Sequence, residues 1–381
     1  MKLKRPLLYA VIAGANALSL AAALVLTLAG GSIARSQGYN SAAQRWDPHG
    51  ESTQISCFFS DDAGYTTDGM NALRAALKNE LSAIVTDPSG NIPKIPDAYS
   101  TPIGTGYVTS DSTGKGEAAL TAVGGDFFLF RDFKLLSGAY FSDDDIMQDG
   151  AVIERSLAWT LYGSANVAGQ LMYIDGVQYY ISGVIDDPTD KYQKRTADET
   201  PRVYISYKGA ESLPQVRYSA GGGYYGEGMG SGTDTANKLT KITCYECITY
   251  DPVENFGINT VKKQLEGMYD GKLTIVNNTE RFSPSVMRKA YRRRADLAVR
   301  KDTVVYPYWE NASRIAEFKL SPIYFWRTVC FVLPTITAIW LIWLALRFAK
   351  KRGRSLISAL IERYRKAVYS RRQKKANINT D

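Results

Sequence analysis

Two long apolar segments lie at opposite ends of this 381-residue chain and limit what it can fold into. The first covers residues 7–29 without a charged side chain, and the second covers residues 323–348 with Arg327 and Arg347 near its ends. A helix of about 20 apolar residues crosses the hydrocarbon core of a bilayer, so the sequence predicts a transmembrane helix at each end. A cleaved signal peptide is the alternative for the first segment, because Ser32-Ile33-Ala34 offers small residues to a peptidase, although the apolar part of a signal peptide is usually shorter.

Basic residues gather outside both apolar segments, towards the chain ends. Residues 1–6 carry three Lys or Arg, and residues 349–381 carry eleven. Because Lys and Arg next to membrane helices stay mainly in the cytoplasm, we expect both termini there and residues 30–322 outside the plasma membrane. The terminal segments therefore carry the whole net positive charge of the chain, and it lies beside the membrane, where it attracts membrane lipids. The region between them is net negative, so no nucleic-acid-binding surface is expected.

Aromatic residues flank the start of the second apolar segment, at Tyr306, Tyr308, Trp309, Tyr324, Phe325 and Trp326. Tyr and Trp favour the interface between membrane and water because each ring has an apolar body and a polar tip. We therefore expect these side chains to lie at the membrane interface, partly in a membrane-proximal stalk over residues 283–322.

The region between the apolar segments is long for one simple core, and its patterns predict an α+β domain of two subdomains. A buried strand over Gln54–Ser60 precedes a helix whose apolar residues have helical spacing, at Met70, Leu73, Leu77, Leu81 and Ile84. A second unit has a strand over Lys241–Tyr250, a helix that starts at Asp251-Pro252 and a strand over Lys272–Asn277. The apolar face of this second helix is formed by Val253, Phe256, Leu265 and Met268. Together the two units predict an α/β subdomain over residues 53–125 and 235–282.

The intervening residues, 126–234, are predicted to form an inserted mixed α/β subdomain. Asp175-Gly176 separates two apolar-rich runs and predicts a hairpin with a type I′ turn. Ser142, followed by Asp143–Asp145, predicts a helix start rather than a cation site, because spaced oxygen ligands are missing. The Gly-rich run Ser219–Gly232 lacks hydrophobic periodicity and predicts a loop, with a partner-binding tip as the alternative.

Few side chains in the sequence are suited to catalysis or to metal binding. His49 is the only histidine, so a His-dependent triad or metal site is not expected, and we predict no cofactor and no enzymatic activity. Cys244 and Cys247 lie on a predicted strand, where three residues span about 10 Å, which is too far for a disulfide between them. Two alternatives stay open: a disulfide of Cys57 with Cys244 or Cys247, and buried free thiols.

The tail beyond the second apolar segment contains a predicted basic amphipathic helix over Ser355–Arg372. Its apolar face is formed by Leu356, Ile357, Leu360, Ile361, Tyr364 and Val368. A helix of this kind either lies on a membrane surface or docks on a partner protein, and the sequence leaves both alternatives open.

Three segments resemble the MacB-type periplasmic core domain of ABC transporter permeases, an FtsX-like family. They are Thr121–Asp145, Ala151–Gln170 and Ile181–Ile185. The family has an aspartate–phenylalanine pair, a glycine–aromatic–phenylalanine turn and a Leu-Ala-x-x-Leu-aromatic-Gly helix. These points are matched here by Asp126-Phe127, Gly138-Ala139-Tyr140-Phe141, Leu157-Ala158 and Leu161-Tyr162-Gly163.

The resemblance implies a mechanical coupler, in which a cytoplasmic ABC ATPase drives membrane helices that move an outer domain during export, efflux or control of cell-wall enzymes. It also implies that the amphipathic tail is the helix that contacts the ATPase. Such permeases typically have four membrane helices, whereas this sequence predicts two and has no Walker motif. A second permease chain is therefore an expected partner, and a homodimer is compatible with the sequence. The alternative is a membrane-anchored envelope scaffold or sensor that works by protein–protein interaction without an ATPase.

Overall fold

The computed structural model describes residues 5–84, 94–213, 241–251, 253, 255–294 and 303–378. The helices are α1 Arg5–Arg35, α2 Ala42–Trp46, α3 Thr67–Ser82, α4 Arg155–Tyr162, α5 Gln193–Thr196, α6 Phe256–Leu265, α7 Pro284–Arg292 and α8 Tyr308–Ile378. The strands are β1 Ser52–Phe59, β2 Asp97–Ser110, β3 Lys115–Gly125, β4 Leu135–Gly138, β5 Gly150–Glu154, β6 Leu171–Ile174, β7 Val177–Ile185, β8 Arg202–Ser206, β9 Cys244–Tyr250 and β10 Leu273–Asn277. Short 3-10 helices lie at Gly38–Ser41, Phe127–Phe130 and Gly209–Ser212. The chain forms two compact units: a helical unit of Met1–Ala29 and Ile323–Asp381, and a sheet unit of Gly30–Pro322.

Both predicted apolar segments, residues 7–29 and 323–348, lie in the helical unit and are helical. The helices over Leu7–Arg35 and Tyr308–Lys350 have mean hydropathies of 2.1 and 2.3 and are long enough to cross a membrane. Inside the unit, Ser19 Oγ donates a hydrogen bond to the carbonyl oxygen of Cys330, and Thr337 Oγ1 donates one to Asn16 Oδ1 at 3.2 Å. Large apolar side chains such as Leu18 are exposed. The two segments thus pack on each other through polar contacts while their apolar surfaces face outward, as lipid-facing helices do.

One ten-stranded sheet organises the sheet unit. Its order is β10-β1-β9-β2-β3-β8-β5-β7-β4, with β6 paired to β2 and β7. β3 pairs with β8, and β5 with β7, in parallel, and the other pairs are antiparallel. The α+β prediction for this region agrees with the mixed content of the sheet. The predicted division into two subdomains is not confirmed, because strands from both predicted regions belong to the same sheet.

The two predicted strand–helix–strand units interleave in the sheet. β1 and β2 flank β9, while β9 and β10 flank β1, as in the split βαβ arrangement of ferredoxin-like domains. The helices α3 and α6, which connect these strand pairs, contact each other. Their inner faces bury Met70, Leu73, Leu77 and Leu81 from α3, and Val261 and Leu265 from α6. Four of the five apolar positions predicted for the first helix therefore lie in the core.

The ends of these two helices differ from the predicted ones. α3 ends at Ser82, so Ile84 lies beyond it and is exposed. α6 begins at Phe256 rather than at Asp251-Pro252, and it ends at Leu265. Val253 and Met268 therefore lie outside the helix, and both are exposed rather than part of a buried face. Asp251 still provides an acceptor for the first turn of α6, since its Oδ1 accepts a hydrogen bond from the Gly257 N–H at 3.1 Å.

The predicted hairpin is present between β6 and β7. Asp175 and Gly176 have φ angles of 46° and 84°, and two successive positive φ angles are what a type I′ turn requires. The Asp175 carboxylate also accepts the Tyr107 N–H at 3.0 Å, so the turn is attached to β2. The predicted loop over Ser219–Gly232 lies outside the described residues.

The predicted helix start at Ser142 is wrong, because residues 142–145 form a turn. Asp145 Oδ2 accepts the Ser142 N–H at 3.0 Å. Asp143 Oδ2 accepts hydrogen bonds from the Gly125 N–H at 2.8 Å and from Tyr99 OH at 3.1 Å. These carboxylates thus accept backbone N–H groups of the turn and of the end of β3 instead of capping a helix.

Candidate functional site

The first turn of α8 is held by buried arginines from separate parts of the sheet unit. Its first three residues, Tyr308, Trp309 and Glu310, contact Arg202, Arg131 and Arg281, respectively. We call these six residues the α8 junction. α8 is also the helix whose later residues form the second apolar segment, so the junction is the candidate functional site.

Glu310 and Arg281 form a deeply buried ion pair in the α8 junction. Arg281 Nη1 lies 2.7 Å from Glu310 Oε2, and Nη2 lies 2.8 Å from Oε1, with the two side chains 3% and 0% exposed. Arg281 Nη2 also donates to Glu317 Oε2 at 3.1 Å. A bidentate pair of this kind fixes both distance and orientation, so it specifies where the first turn of α8 lies against the loop after β10.

Two further groups complete the surroundings of Glu310. Tyr39 OH donates a hydrogen bond to Glu310 Oε2, and Arg314 Nε donates to Oε1 at 3.0 Å. Burial alone raises the pKa of Glu310, but Arg281, Arg314 and the hydrogen bonds outweigh it and lower this pKa below its ordinary value. Burial and the neighbouring Glu310 raise the pKa of Tyr39, so Tyr39 stays a donor and Glu310 stays a carboxylate.

Arg131 holds the second residue of α8. Its guanidinium lies 4.1 Å from the ring centroid of Trp309 and 4.5 Å from that of Phe127, and it forms an ion pair with Glu246 of β9 in which each side chain is 1% exposed. Glu246 Oε1 also accepts a hydrogen bond from Ser56 Oγ at 2.8 Å. Cation–π contacts are strongest where water is excluded, so Trp309 is attached to the centre of the sheet.

Arg202 holds the first residue of α8 in a similar way. It lies 4.1 Å from the ring centroid of Tyr308 and pairs with Glu154, with side chains 7% and 4% exposed. The hydroxyl groups of Tyr308 and Tyr204 are 3.1 Å apart. The α8 junction therefore joins β8, the segment before β4 and the loop after β10 to three successive residues of one helix.

A small cavity borders the α8 junction between the sheet and residues 305–309. It has a volume of about 130 Å³, and its walls include Thr105, Leu120, Cys244 and Tyr306. Arg202, which borders the cavity, is engaged in the ion pair with Glu154 described above. No group of His, Cys, Asp or Glu in the described part of the chain is arranged to hold a metal ion. The contacts of the α8 junction hold the first turn of α8 in a fixed position against the sheet unit.

The aromatic residues before the second apolar segment do not lie where the sequence predicted. Tyr306 and Trp309 are 5% and 4% exposed inside the sheet unit, and Tyr306 packs edge-on against Phe58 at 5.5 Å. The prediction that these residues lie at a membrane interface is therefore wrong, because arginine and aromatic partners cover them. Trp326, in the helical unit, is 53% exposed.

The three cysteines of the sheet unit are buried free thiols in the structure. Cys57 lies opposite Tyr245 and Cys247 lies opposite Ile55 in the pairing of β1 with β9, and both thiols belong to the main core. Cys244 packs on the other face of the sheet with Phe58, so Cys244 and Cys247 face opposite sides. Burial raises the pKa of all three thiols. The choice between free thiols and a disulfide stays open to the thiol-labelling experiment given below.

The predicted amphipathic tail lies within α8, whose backbone is helical to Ile378. Ile361 and Tyr364 are 51% and 73% exposed. The side chains of Leu356, Ile357, Leu360 and Val368 lie outside the described part of the structure. The docking role of the six apolar residues stays a prediction.

Sequence reasoning missed the α8 junction. Its arginines lie up to about 180 residues from α8 in the chain, and no local spacing connects them. A signal was available for two of the arginines: Arg131 follows an aromatic-rich run and Arg202 precedes an apolar one, where an unpaired charge is costly.

The chain is similar to one known family and to several solved structures. The profile of the MacB-like periplasmic core domain matches residues 21–235. Similar solved structures include the periplasmic region of MacB from Actinobacillus actinomycetemcomitans (15% identity, 59% of this chain and 88% of that chain, TM-score 0.37). A second is the extracellular domain of the noncanonic ABC-type transporter YknZ from Gram-positive bacteria (12% identity, 59% of this chain and 100% of that chain, TM-score 0.37). A third is a domain of a putative permease protein from Porphyromonas gingivalis (11% identity, 60% of this chain and 91% of that chain, TM-score 0.33). No curated protein sequence matches the chain.

Proposed function

Because the chain belongs to the MacB-like periplasmic core domain family, whose domains occur in ABC-type transporter permeases, we propose that it is a non-catalytic, permease-like membrane subunit. In this role a cytoplasmic ABC ATPase hydrolyses ATP and the subunit passes the resulting movement to the sheet unit outside the membrane. The work done there is export or another task in the cell envelope. The observation that carries the proposal is the family match over residues 21–235 together with apolar helices that precede and follow the sheet unit in the sequence.

The proposed topology places the sheet unit outside the plasma membrane and both termini in the cytoplasm. Its support is the charge asymmetry, since the Lys and Arg residues near the apolar segments are concentrated on the terminal sides. Span 1 is residues 7–29 and span 2 is residues 323–348, as the sequence predicts. A family whose domain is periplasmic agrees with this arrangement.

The α8 junction is the proposed point where movement enters the sheet unit. A lever needs a firm attachment, and three successive residues of α8 are attached to three different parts of the sheet unit through buried arginines. At the other end of the same helix, the basic amphipathic tail is the proposed contact for the ATPase. A second permease chain or a second copy of this chain would supply the further membrane helices that the family uses.

The ATPase contact is tested by in-cell cross-linking. A photo-activatable amino acid replaces Tyr364, which is 73% exposed, in the full chain in its own cells. After irradiation, mass spectrometry of the cross-linked products is expected to identify a cytoplasmic ABC ATPase. The matched control carries the same amino acid at Trp159, which is 58% exposed on α4 of the sheet unit and should give no ATPase product.

The outcomes separate the two functions that the sequence left open. An ATPase product at Tyr364 but not at Trp159 supports coupling and the proposed sidedness together. Products at Tyr364 that contain only lipids or non-ATPase proteins refute coupling and favour a membrane-anchored scaffold or sensor. An ATPase product at Trp159 alone refutes the topology.

A further inference from the structure

α7 presents a dense group of positive charges to solvent. Arg288, Lys289, Arg292 and Arg293 are exposed, and we call these four residues the basic face. No Asp or Glu occurs between Arg281 and Ala295, and the basic face forms no ion pair with a carboxylate in the described part of the chain. Four like charges within six positions repel one another, so this arrangement favours an anionic partner.

The other side of α7 is fixed to the sheet unit. Met287 is fully buried, and Ser283 caps the helix by accepting the Val286 N–H. At the end of the helix, the Arg294 guanidinium lies 4.1 Å from the ring centroid of Phe318 in α8. The basic face is therefore held outward by two attachments, at Met287 and Arg294, on a capped helix, and is not a loose charged segment.

We propose that the basic face of α7 binds the phosphate headgroups of anionic phospholipids in the bilayer that contains the apolar segments. Lys and Arg bind phosphate through charge and hydrogen bonds, and α7 offers both types of residue. Its anchor Phe318 precedes the second apolar segment by five residues in the sequence, so the chain itself keeps the basic face at a high effective concentration near that bilayer. This inference rests on the proposed membrane location but not on an ATPase.

The expected strength follows from the number of charges. Each Lys or Arg near an anionic membrane surface changes binding about fivefold, so replacing two of them lowers the ratio of bound to free helix about 25-fold. Because the attraction is electrostatic, high salt is expected to weaken it. The lysine variant of an arginine position keeps the charge and is expected to keep most of the binding.

The test measures amide hydrogen exchange of α7 in the full chain, reconstituted in nanodiscs of phosphatidylcholine alone or with about one third phosphatidylglycerol. Exchange over residues 284–292 is expected to slow several-fold in the anionic discs and to recover at high salt. The variant R288Q/R292Q should lose this protection, whereas R288K/R292K should keep it. The matched control K194Q/R195Q removes two exposed basic residues from α5 and should leave the protection of α7 unchanged.

Two results would overturn the proposal. One is equal exchange of α7 in neutral and anionic discs. The other is that soluble polyphosphate slows the exchange of α7 in neutral discs while anionic lipid does not. That result would show that the basic face binds a soluble polyanion instead of the bilayer. Neither result bears on cross-linking at Tyr364, so failure here and failure of the proposed function are distinguishable.

Discussion

Replacing Glu310 by Gln removes the central charge of the α8 junction while keeping nearly the same shape. The substitution leaves Arg281 buried, with 3% of its side chain exposed, opposite a neutral amide. Removing one partner of a buried ion pair costs about 3–5 kcal/mol. Glu317 still contacts Arg281 at 3.1 Å, so we expect the lower end, about 3 kcal/mol.

Thermal unfolding of the full chain in detergent, followed by tryptophan fluorescence at a fixed scan rate, measures this loss. At about 2 °C per kcal/mol for a unit of this size, the apparent midpoint of E310Q should fall by about 6 °C. The control K263Q breaks an exposed ion pair with Glu80, which is worth less than about 1 kcal/mol, and should shift the midpoint by under about 2 °C.

A double variant tests the physical reason for the loss. R281M/E310L removes both charges, so neither is left unpaired, and it should be more stable than either R281M or E310L alone. Additive losses in the double variant would refute the reasoning that an unpaired buried charge causes the instability.

The pH dependence provides a second check on the same pair. The folded-state pKa of Glu310 lies below the ordinary value of 4.5. A lowered carboxyl pKa contributes stability that is fully present well above that ordinary value and is lost as the pH falls through the folded-state pKa. The difference in stability between the wild type and E310Q should therefore be constant near neutral pH and shrink below about pH 4.

Three further predictions follow from other parts of the chain. Gly138 and Gly163 have similar positive φ angles, 74° and 68°, but a Cβ on Gly138 would lie 2.1 Å from a carbonyl oxygen of the neighbouring strand, whereas a Cβ on Gly163 would meet open space. In denaturant titration, G138A should therefore lower the free energy of unfolding by at least about 1 kcal/mol more than G163A does. Equal losses in the two variants would contradict the clash. Because Ser19 Oγ contacts the Cys330 backbone, S19C should form a disulfide with Cys330 on mild oxidation, seen as a mobility shift, and L18C, at an exposed position, should not. The three buried thiols of the sheet unit should resist maleimide until the chain is denatured without reductant, when all three react; a mass increase two labels short would show a disulfide instead.

Local sequence patterns predicted the elements whose contacts are local. The Asp175-Gly176 turn and the buried face of α3 depend on neighbours in the sequence, and both are present. Helix ends were less predictable: α6 begins at Phe256 because Asn255 adopts a left-handed conformation, with φ 66°. Residue type alone does not reveal such a choice of conformation.

The α8 junction could not be predicted because tertiary pairing decides the role of its residues. Trp309 has the composition of a membrane-interface residue, but Arg131 and Phe127 cover it inside the sheet unit. Arg281 and Glu310 are individually polar and would be expected on the surface. Their bidentate contact, with Tyr39, Arg314 and Glu317 around it, allows both to be buried, and these contacts depend on the complete fold of the sheet unit.

The place of β9 in the sheet has a consequence for how the protein is made. β9 lies between β1 and β2, although it is synthesised long after both of them. Until the ribosome has produced residue 250, β1 and β2 both lack β9, the strand that pairs with each of them. β1 gains its second partner, β10, later still. Such late, long-range pairing is slow and leaves strand edges open to other chains. A nascent chain of this protein therefore needs protection of its unpaired strands for most of its synthesis. The second apolar segment is synthesised only after β10, the last strand of the sheet.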